Sequence, residues 1–345
     1  IESFQRILQS FTRGIDMMRV FSITGLIYAI VMLILALVLI PRMGLNGYWI
    51  ALLSAGFISS LYVFIAIKAW TYLRLSGFDN SYLLNLLKYS IPLIPNATMW
   101  WVVNSINRPM LISTIGFDGV GLYTIAGKFP AILSLVFSIF FSAFQISALE
   151  EYGKTTYANF YNNVFRVLLF LQICLTFGFE IFGKLLFDLM IDYKYHDAVQ
   201  YLPVFCLGVV ISNIAAYVGV TFTVIKKTKY FLYSAILAAL VAVIANLLLI
   251  PDFGIMGACL SLVLSQSVMM LYRWFKARQY VDFINRKRLF ILISIFSISL
   301  LVYYLIENYM LKQMTLVSLL ITFVLMNADI FKNLKLLLYK KYGKL

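Results

Sequence analysis

Residues 39–47 read LIPRMGLNG, and residues 249–257 read LIPDFGIMG. Leu39, Ile40, Pro41, Gly44 and Gly47 fall on Leu249, Ile250, Pro251, Gly254 and Gly257, and the same offset of 210 lays Leu61-Tyr62 on Leu271-Tyr272. Matches of leucine and isoleucine are cheap in an apolar chain, but a proline and two glycines in register are not. The pattern is that of internal duplication. In each copy a span is expected to end at Ile-Pro, where proline cannot continue a helix, and the glycine three residues on suits a tight reversal into the next span.

Around the two copies the chain is apolar throughout. Its 345 residues are 63% hydrophobic and 12% charged, with a mean hydropathy of +0.92. A soluble domain carries about 25% charge, so this is an integral membrane protein. Apolar stretches of about 18 residues or more recur along it, whereas an outer-membrane barrel would show alternating segments of about ten, so the fold class is all-α. Ten spans are expected, near 20–41, 47–69, 89–113, 120–149, 161–183, 199–225, 230–250, 255–274, 289–306 and 315–331, preceded by a helical stub.

The formal charge of +14 is mostly topological. With alternate loops on opposite sides, twenty of the 28 basic residues fall on one side, among them Lys226, Lys227, Lys229, Arg273, Lys276, Arg278 and the tail lysines, and only Arg42, Lys184, Lys194 and Lys312 on the other. The crowded side is cytoplasmic. Arg6, Arg108, Lys128 and Arg166 remain within apolar sequence. Nucleic acid is excluded as a partner by this topology. Cys174, Cys206, Cys259 and the lone His196 form no metal-ligand or nucleophile pattern, so no metal, cofactor or enzymatic activity is expected.

Six spans separate the two copies, an even number, so the copies run in the same direction and are parallel repeats. Carrying the offset back from Lys88 implies roughly 120 residues and about four spans before Ile1, in a transporter of about fourteen helices arranged as two six-helix lobes plus two. The expected domains are 1–79, the remnant of an N-terminal lobe; 80–279, a six-helix lobe; and 280–345, two accessory helices with a basic tail.

Arg108 and Lys128 flank the outer loop at 114–119 on adjacent antiparallel helices, at an expected matched depth of roughly 8 to 13 Å. Charges within a span are costly and commonly line a water-filled path. Arg6 and Arg166 lie near cytoplasmic ends, where snorkelling accounts for them. Pro92, Pro95, Pro109 and Pro130 all fall in this helix pair; Pro109 and Pro130 are expected to free the carbonyls of Ser105 and Ala126 and to act as hinges. Asn96, Trp100, Asn104, Asn107 and Gln145 are candidate sugar or cavity contacts, although such side chains also glue helices together. Glu180 is read near an outer helix end, which leaves no clearly buried acid.

The stretches KYSIPLIPNATMWWVVNSINRPMLIS (88–113), GVGLYTIAGKFPAILSLVFSIFFSAFQISALEEY (119–152) and NLLLIPDFGIMGACLS (246–261) resemble bacterial Wzx-type polysaccharide flippases, of the superfamily that includes multidrug and toxin extrusion transporters. The resemblance implies a cationic central cavity and alternating access, moving undecaprenyl-pyrophosphate-linked repeat units across the bacterial cytoplasmic (inner) membrane for O-antigen, capsule or exopolysaccharide synthesis. Arg108 and Lys128 match its basic positions and would bind the pyrophosphate. Asn107 and Pro109 flank Arg108 where relatives often place an acid before it. Membrane lipid, the lipid-linked glycan, and the polysaccharide polymerase with its chain-length machinery are the implied partners of a monomeric transporter. An ion-coupled multidrug exporter of the same fold is the alternative, disfavoured by the shortage of buried acids; a membrane glycosyltransferase or polysaccharide polymerase would need a long outer loop.

Overall fold

The computed structural model describes residues 2–72, 80–91, 93–281 and 286–329, and every regular element among them is helical. They gather into two units, Ile1–Leu84 and Asn85–Leu345.

The first unit holds α1 (Glu2–Gly14), α2 (Met18–Met43), α3 (Leu45–Ala66) and a 3-10 turn at Ala69–Thr71. The stub α1 is amphipathic: Gln5, Leu8 and Thr12 are buried while Arg6 and Arg13 are exposed. Helix α3 buries Gly47, Ala51, Ala55, Ser59 and Val63, a stripe at every fourth residue whose small members let two backbones approach closely. On α2, Leu26, Leu33 and Leu37 stay exposed, which suits a surface against lipid rather than water.

The second unit runs through α4 (Asn80–Ser90), α5 (Leu93–Ser105), α6 (Asn107–Ile115), α7 (Phe117–Ala126), α8 (Lys128–Glu151), α9 (Tyr157–Met190), a 3-10 helix at Tyr193–Tyr201, α10 (Leu202–Val224), α11 (Lys229–Ala277), α12 (Arg286–Leu305) and α13 (Tyr309–Met326). Seven of the helices described are long and apolar enough to cross a membrane, and all ten expected spans have a helical counterpart. The two counts differ for three reasons. Helix α11 is two limbs joined through Gly254, the first span of this unit is divided into α5 and α6, and only Ser294–Leu305 of α12 enters the apolar count. The chain is a multi-pass membrane protein.

The two copies of the duplicated motif turn with the same backbone. Gly44 has φ +56° and ψ −129°, Gly254 φ +56° and ψ −127°, a region in which only glycine is comfortable. A Cβ on Gly47 would lie 2.3 Å from the Leu39 carbonyl oxygen, and one on Gly257 would lie 2.2 Å from that of Leu249. Both glycines of the motif are therefore required, one for the reversal and one for the contact between limbs. The expected helix end at Ile-Pro is corrected: Pro41 and Pro251 lie inside their helices. Each costs only one hydrogen bond so near an end, and the chain reverses at the glycine instead.

Several packed interiors hold the second unit together. At one end Phe144 stacks on Tyr217 with ring centres 4.3 Å apart, and the Tyr217 hydroxyl donates to the Tyr161 carbonyl at 2.7 Å. At the other, Phe129 packs on Phe187 at 5.1 Å. Between them the first limb of α11 buries Ala235, Ala238, Ala239, Ala242 and Ala245, again small residues at helical spacing. Helices α12 and α13 lie against α9, where Phe170 stacks on Phe323 at 5.5 Å and Arg166 pairs with Asp329. Arg166 is thus an ion-pair staple between α9 and the segment just after α13, not a snorkelling side chain. The basic tail expected beyond this point lies outside the described residues.

Candidate functional site

The helix pair that carries Arg108 and Lys128 is broken on both sides at matching places. Helix α5 ends at Ser105 and α6 begins at Asn107; α7 ends at Ala126 and α8 begins at Lys128. The interrupting residues, Ile106 and Gly127, keep helical angles, so the interruptions are losses of hydrogen bonding rather than turns. Their cause is proline. Pro109 and Pro130 have no N–H to give to the residue four back, and those residues are Ser105 and Ala126. Pro130 is buried and Pro95 and Pro109 are exposed or nearly so; Pro92 lies outside the described residues.

Both cations stand beside these breaks. Arg108 is the second residue of α6 and Lys128 the first of α8, and both are exposed. Neither makes an ion pair among the described residues. Gly116 at the hairpin tip has φ +86°, and counting from it Arg108 is about 12 Å and Lys128 about 18 Å along the helices. Both therefore lie deeper than expected, Arg108 against roughly 8 Å and Lys128 against roughly 13 Å, because α7 begins at Phe117, directly after the tip, while the offset between them stays at about one turn.

The neighbouring polar residues divide between two faces. Ala97, Trp101, Asn104 and Arg108 recur at helical spacing and are all exposed; Asn104 donates to the Trp100 carbonyl of its own helix at 2.7 Å. On α8, Ser134, Ser138 and Ser142 lead to the half-buried Gln145. Lys128 heads the exposed stripe of Ile132, Leu135 and Ile139, spaced i, i+4, i+7 and i+11, beside this small polar stripe.

The opposite face of α5 and α6 is spent on packing. Asn107 is 1% exposed; its amide donates to the Tyr123 hydroxyl at 2.7 Å and its oxygen accepts from Asn246 Nδ2 at 2.7 Å. Asn246 also donates to the Ala242 carbonyl at 2.7 Å. The Asn107 side chain is thus turned into the helix interface, because the interior turn of α11 supplies partners that a cavity would not. Asn96 is half-buried, and its Oδ1 has no partner among the described residues. Trp100 faces Arg273, whose guanidinium lies 5.8 Å from its ring.

Arg273 is the residue that the sequence reading misplaced. Assigned to a cytoplasmic loop, it is 1% exposed within α11. Its Nε donates to Ser234 Oγ at 2.9 Å, its Nη1 to the Ala215 carbonyl at 2.9 Å, and Phe231 lies 5.1 Å from it. Gly219 makes room, since a Cβ there would stand 3.0 Å from Nη1. Nη2 has no partner and no carboxylate is paired with the group among the described residues. A signal existed in the duplication: the offset of 210 places Arg273 on Val63, which is 0% exposed. A core position of one copy carries an arginine in the other.

Glu180 is corrected too. It lies well inside α9, which runs on to Met190, and is 2% exposed; Ser299 Oγ donates to its Oε1 at 3.4 Å, and its Oε2 has no partner among the described residues. The unit therefore does contain a buried acid.

The sequence matches no known family profile and no curated protein sequence. The fold does match solved structures. The lipid II flippase MurJ in its inward closed conformation aligns with TM-score 0.62 at 17% identity, over 89% of this chain and 67% of its own. A MATE structure in the bent conformation aligns at 0.62 and 15% identity over 80% of this chain and 64% of its own, and a MATE point mutant at 0.61 and 16%, over 80% and 65%. The chain spans about two thirds of the length of these structures. Its fold is the all-helical membrane fold that this flippase and these MATE proteins share.

Proposed function

We propose that the protein moves a polyprenyl-pyrophosphate-linked oligosaccharide from the cytoplasmic to the outer leaflet of the bacterial cytoplasmic membrane by alternating access, as a Wzx-type flippase for O-antigen, capsule or exopolysaccharide. The observation that carries this reading is the pair of exposed cations, without ion-pair partners among the described residues, at two proline-made helix breaks. A pyrophosphate offers several anionic acceptors, and charge-assisted hydrogen bonds to it are about twice as strong as neutral ones. Away from bulk water the attraction grows further. Arg108 supplies a planar fork and Lys128 a movable point charge one turn deeper, so the two can follow a phosphate travelling along the helix pair. The breaks beside them soften both helices where the group would pass. The fold, shared with a lipid II flippase, supports a lipid-linked substrate.

Glu180 favours a second reading, an ion-coupled exporter of the same fold, since a buried carboxylate within a span is a usual place for a coupling ion. Proteoliposomes separate the two. Transbilayer movement of a fluorescent polyprenyl-pyrophosphate saccharide, absent for the same lipid lacking the pyrophosphate, is the expected result. Accumulation of an organic cation driven by a proton or sodium gradient, without lipid movement, would replace the first reading with the second.

A further inference from the structure

Away from the kinked helix pair, α9, the 3-10 helix Tyr193–Tyr201 and the accessory helices α12 and α13 line a half-open cavity of about 360 Å³, within the size range of small-ligand sites. It lies toward the ends of these helices that the charge distribution puts on the outer side. Helix α9 has 34 residues, about 51 Å in length, which exceeds a bilayer of about 40–45 Å.

The chemistry of the walls is divided. Glu180 and Gln313 line the cavity, and each holds a buried acceptor oxygen, Oε2 and Oε1, with no hydrogen-bond partner among the described residues. Buried acceptors without donors are costly, so this part of the cavity is built for a group rich in N–H. Lys184 and Lys312 also line it and pair with no carboxylate among the described residues. Their ammonium groups lie instead over tyrosine rings, 5.5 Å from the centre of Tyr309 and 4.9 Å from that of Tyr303. Asp188 is already engaged, 3.3 Å from His196 Nδ1, and Asp197, which also lines the cavity, is exposed to solvent and pairs with neither lysine. Unmet acceptors and carboxylate-free cations in one cavity call for a ligand that carries both an ammonium and an anion.

We propose that this cavity is a site for the phosphoethanolamine headgroup of a membrane lipid, its primary ammonium on Glu180 and Gln313 and its phosphate between Lys184 and Lys312. A naked inorganic cation would leave the lysines and most of the volume unused. An anionic headgroup without an amine would meet Glu180 unpaired. A quaternary amine has no N–H for the two acceptors. The site is distinct from Arg108 and Lys128, and it gives Glu180 a ligand in place of the coupling ion of the second reading.

Native mass spectrometry of the purified full chain tests it, with phosphatidylethanolamine, phosphatidylcholine and phosphatidylglycerol of identical acyl chains added together. The expected result is retention of phosphatidylethanolamine over the other two by about tenfold, the worth of one hydrogen bond to a charged group. Glu180→Gln, which replaces the carboxyl by an amide at constant shape, abolishes that preference, and Gln313→Leu, which keeps Glu180, reduces it. Lys184→Gln combined with Lys312→Gln lowers retention of phosphatidylethanolamine without favouring phosphatidylcholine. Soluble glycerophosphoethanolamine competes if the headgroup is the recognised part, whereas failure to compete at high excess would assign retention to the acyl chains and overturn the proposal. Equal retention of phosphatidylglycerol, or an unchanged preference in both the Glu180 and Gln313 variants, would also overturn it.

Discussion

Replacing Gly257 by alanine would put a methyl carbon 2.2 Å from the Leu249 carbonyl oxygen and 2.5 Å from its carbon. Nonbonded heavy atoms rest at about 3.5 Å, so the two limbs of α11 must part by about 1 Å at the narrowest point of their hairpin. The obstructing atoms are backbone, and no rotamer change relieves them. Overpacking of this kind costs about 3 kcal/mol, and the better helix propensity of alanine returns about 1 kcal/mol. The net loss of about 2 kcal/mol corresponds to a fall of about 4–8 °C in melting temperature for a unit of this size. Gly178 supplies the control, since a Cβ there would meet nothing within 4 Å. Gly178→Ala keeps only the propensity gain and should melt about 2–4 °C higher. Gly47→Ala should behave as Gly257→Ala does, its clash being 2.3 Å from Leu39. Tryptophan fluorescence during heating in detergent reads all three. If Gly257→Ala melts at or above Gly178→Ala, the close approach of the limbs is not what the duplicated glycine is for.

Three further outcomes follow from the interior of the second unit. Asn107→Leu strands the Tyr123 hydroxyl and leaves Asn246 only its bond to the Ala242 carbonyl, and should cost about 2 kcal/mol; combined with Asn246→Leu the loss should fall short of the sum by about 1 kcal/mol, read from the same melts. Arg273→Ala leaves a large hole among Trp100, Phe231 and Ser234 and should cost about 3 kcal/mol, whereas Arg273→Met fills it and should cost less; equal melts for both would mean that the arginine is not packed there. Pro109→Ala and Pro130→Ala restore an N–H toward Ser105 and Ala126, so each should protect the new amide from hydrogen exchange and slow transport while raising thermal stability by about 1 kcal/mol or more. Faster exchange in this region would contradict the origin assigned to the breaks.

The parts of the fold written in residues with a single physical meaning were legible in advance. Glycines at 44 and 254 fix the reversals because only glycine accepts φ +56° with ψ of −129° or −127°, and Pro109 and Pro130 mark the breaks because a missing N–H has one consequence. Burial of charge was not legible. Arg273 sits in YRWFKAR, which reads as a loop by hydropathy, yet Gln266, Met269 and Ala277 beside it are buried at helical spacing and carry it inward. Glu180 reads as terminal because Lys184 and Asp188 end the apolar run, while α9 continues as an amphipathic helix past both. Arg108 and Lys128 both lie deeper than hydropathy implies because the outer loop is shorter. For each of these residues the position depends on which way a helix faces or where it starts, and composition does not record that.

The charge at Lys128 is the most direct test of the account. Surface glycan and membrane-inserted protein are to be measured together in a flippase-deficient strain for Lys128→Ala and Lys128→Arg beside the parent protein, with Arg108→Lys as companion. The account predicts Lys128→Ala at parental abundance with export reduced about tenfold or more, the worth of one charge-assisted contact, and Lys128→Arg retaining much of the activity because charge is what the position requires. Arg108→Lys should fall further than Lys128→Arg, having lost its fork. Normal surface glycan in Lys128→Ala would remove this lysine from the transport path and contradict the proposed pyrophosphate site.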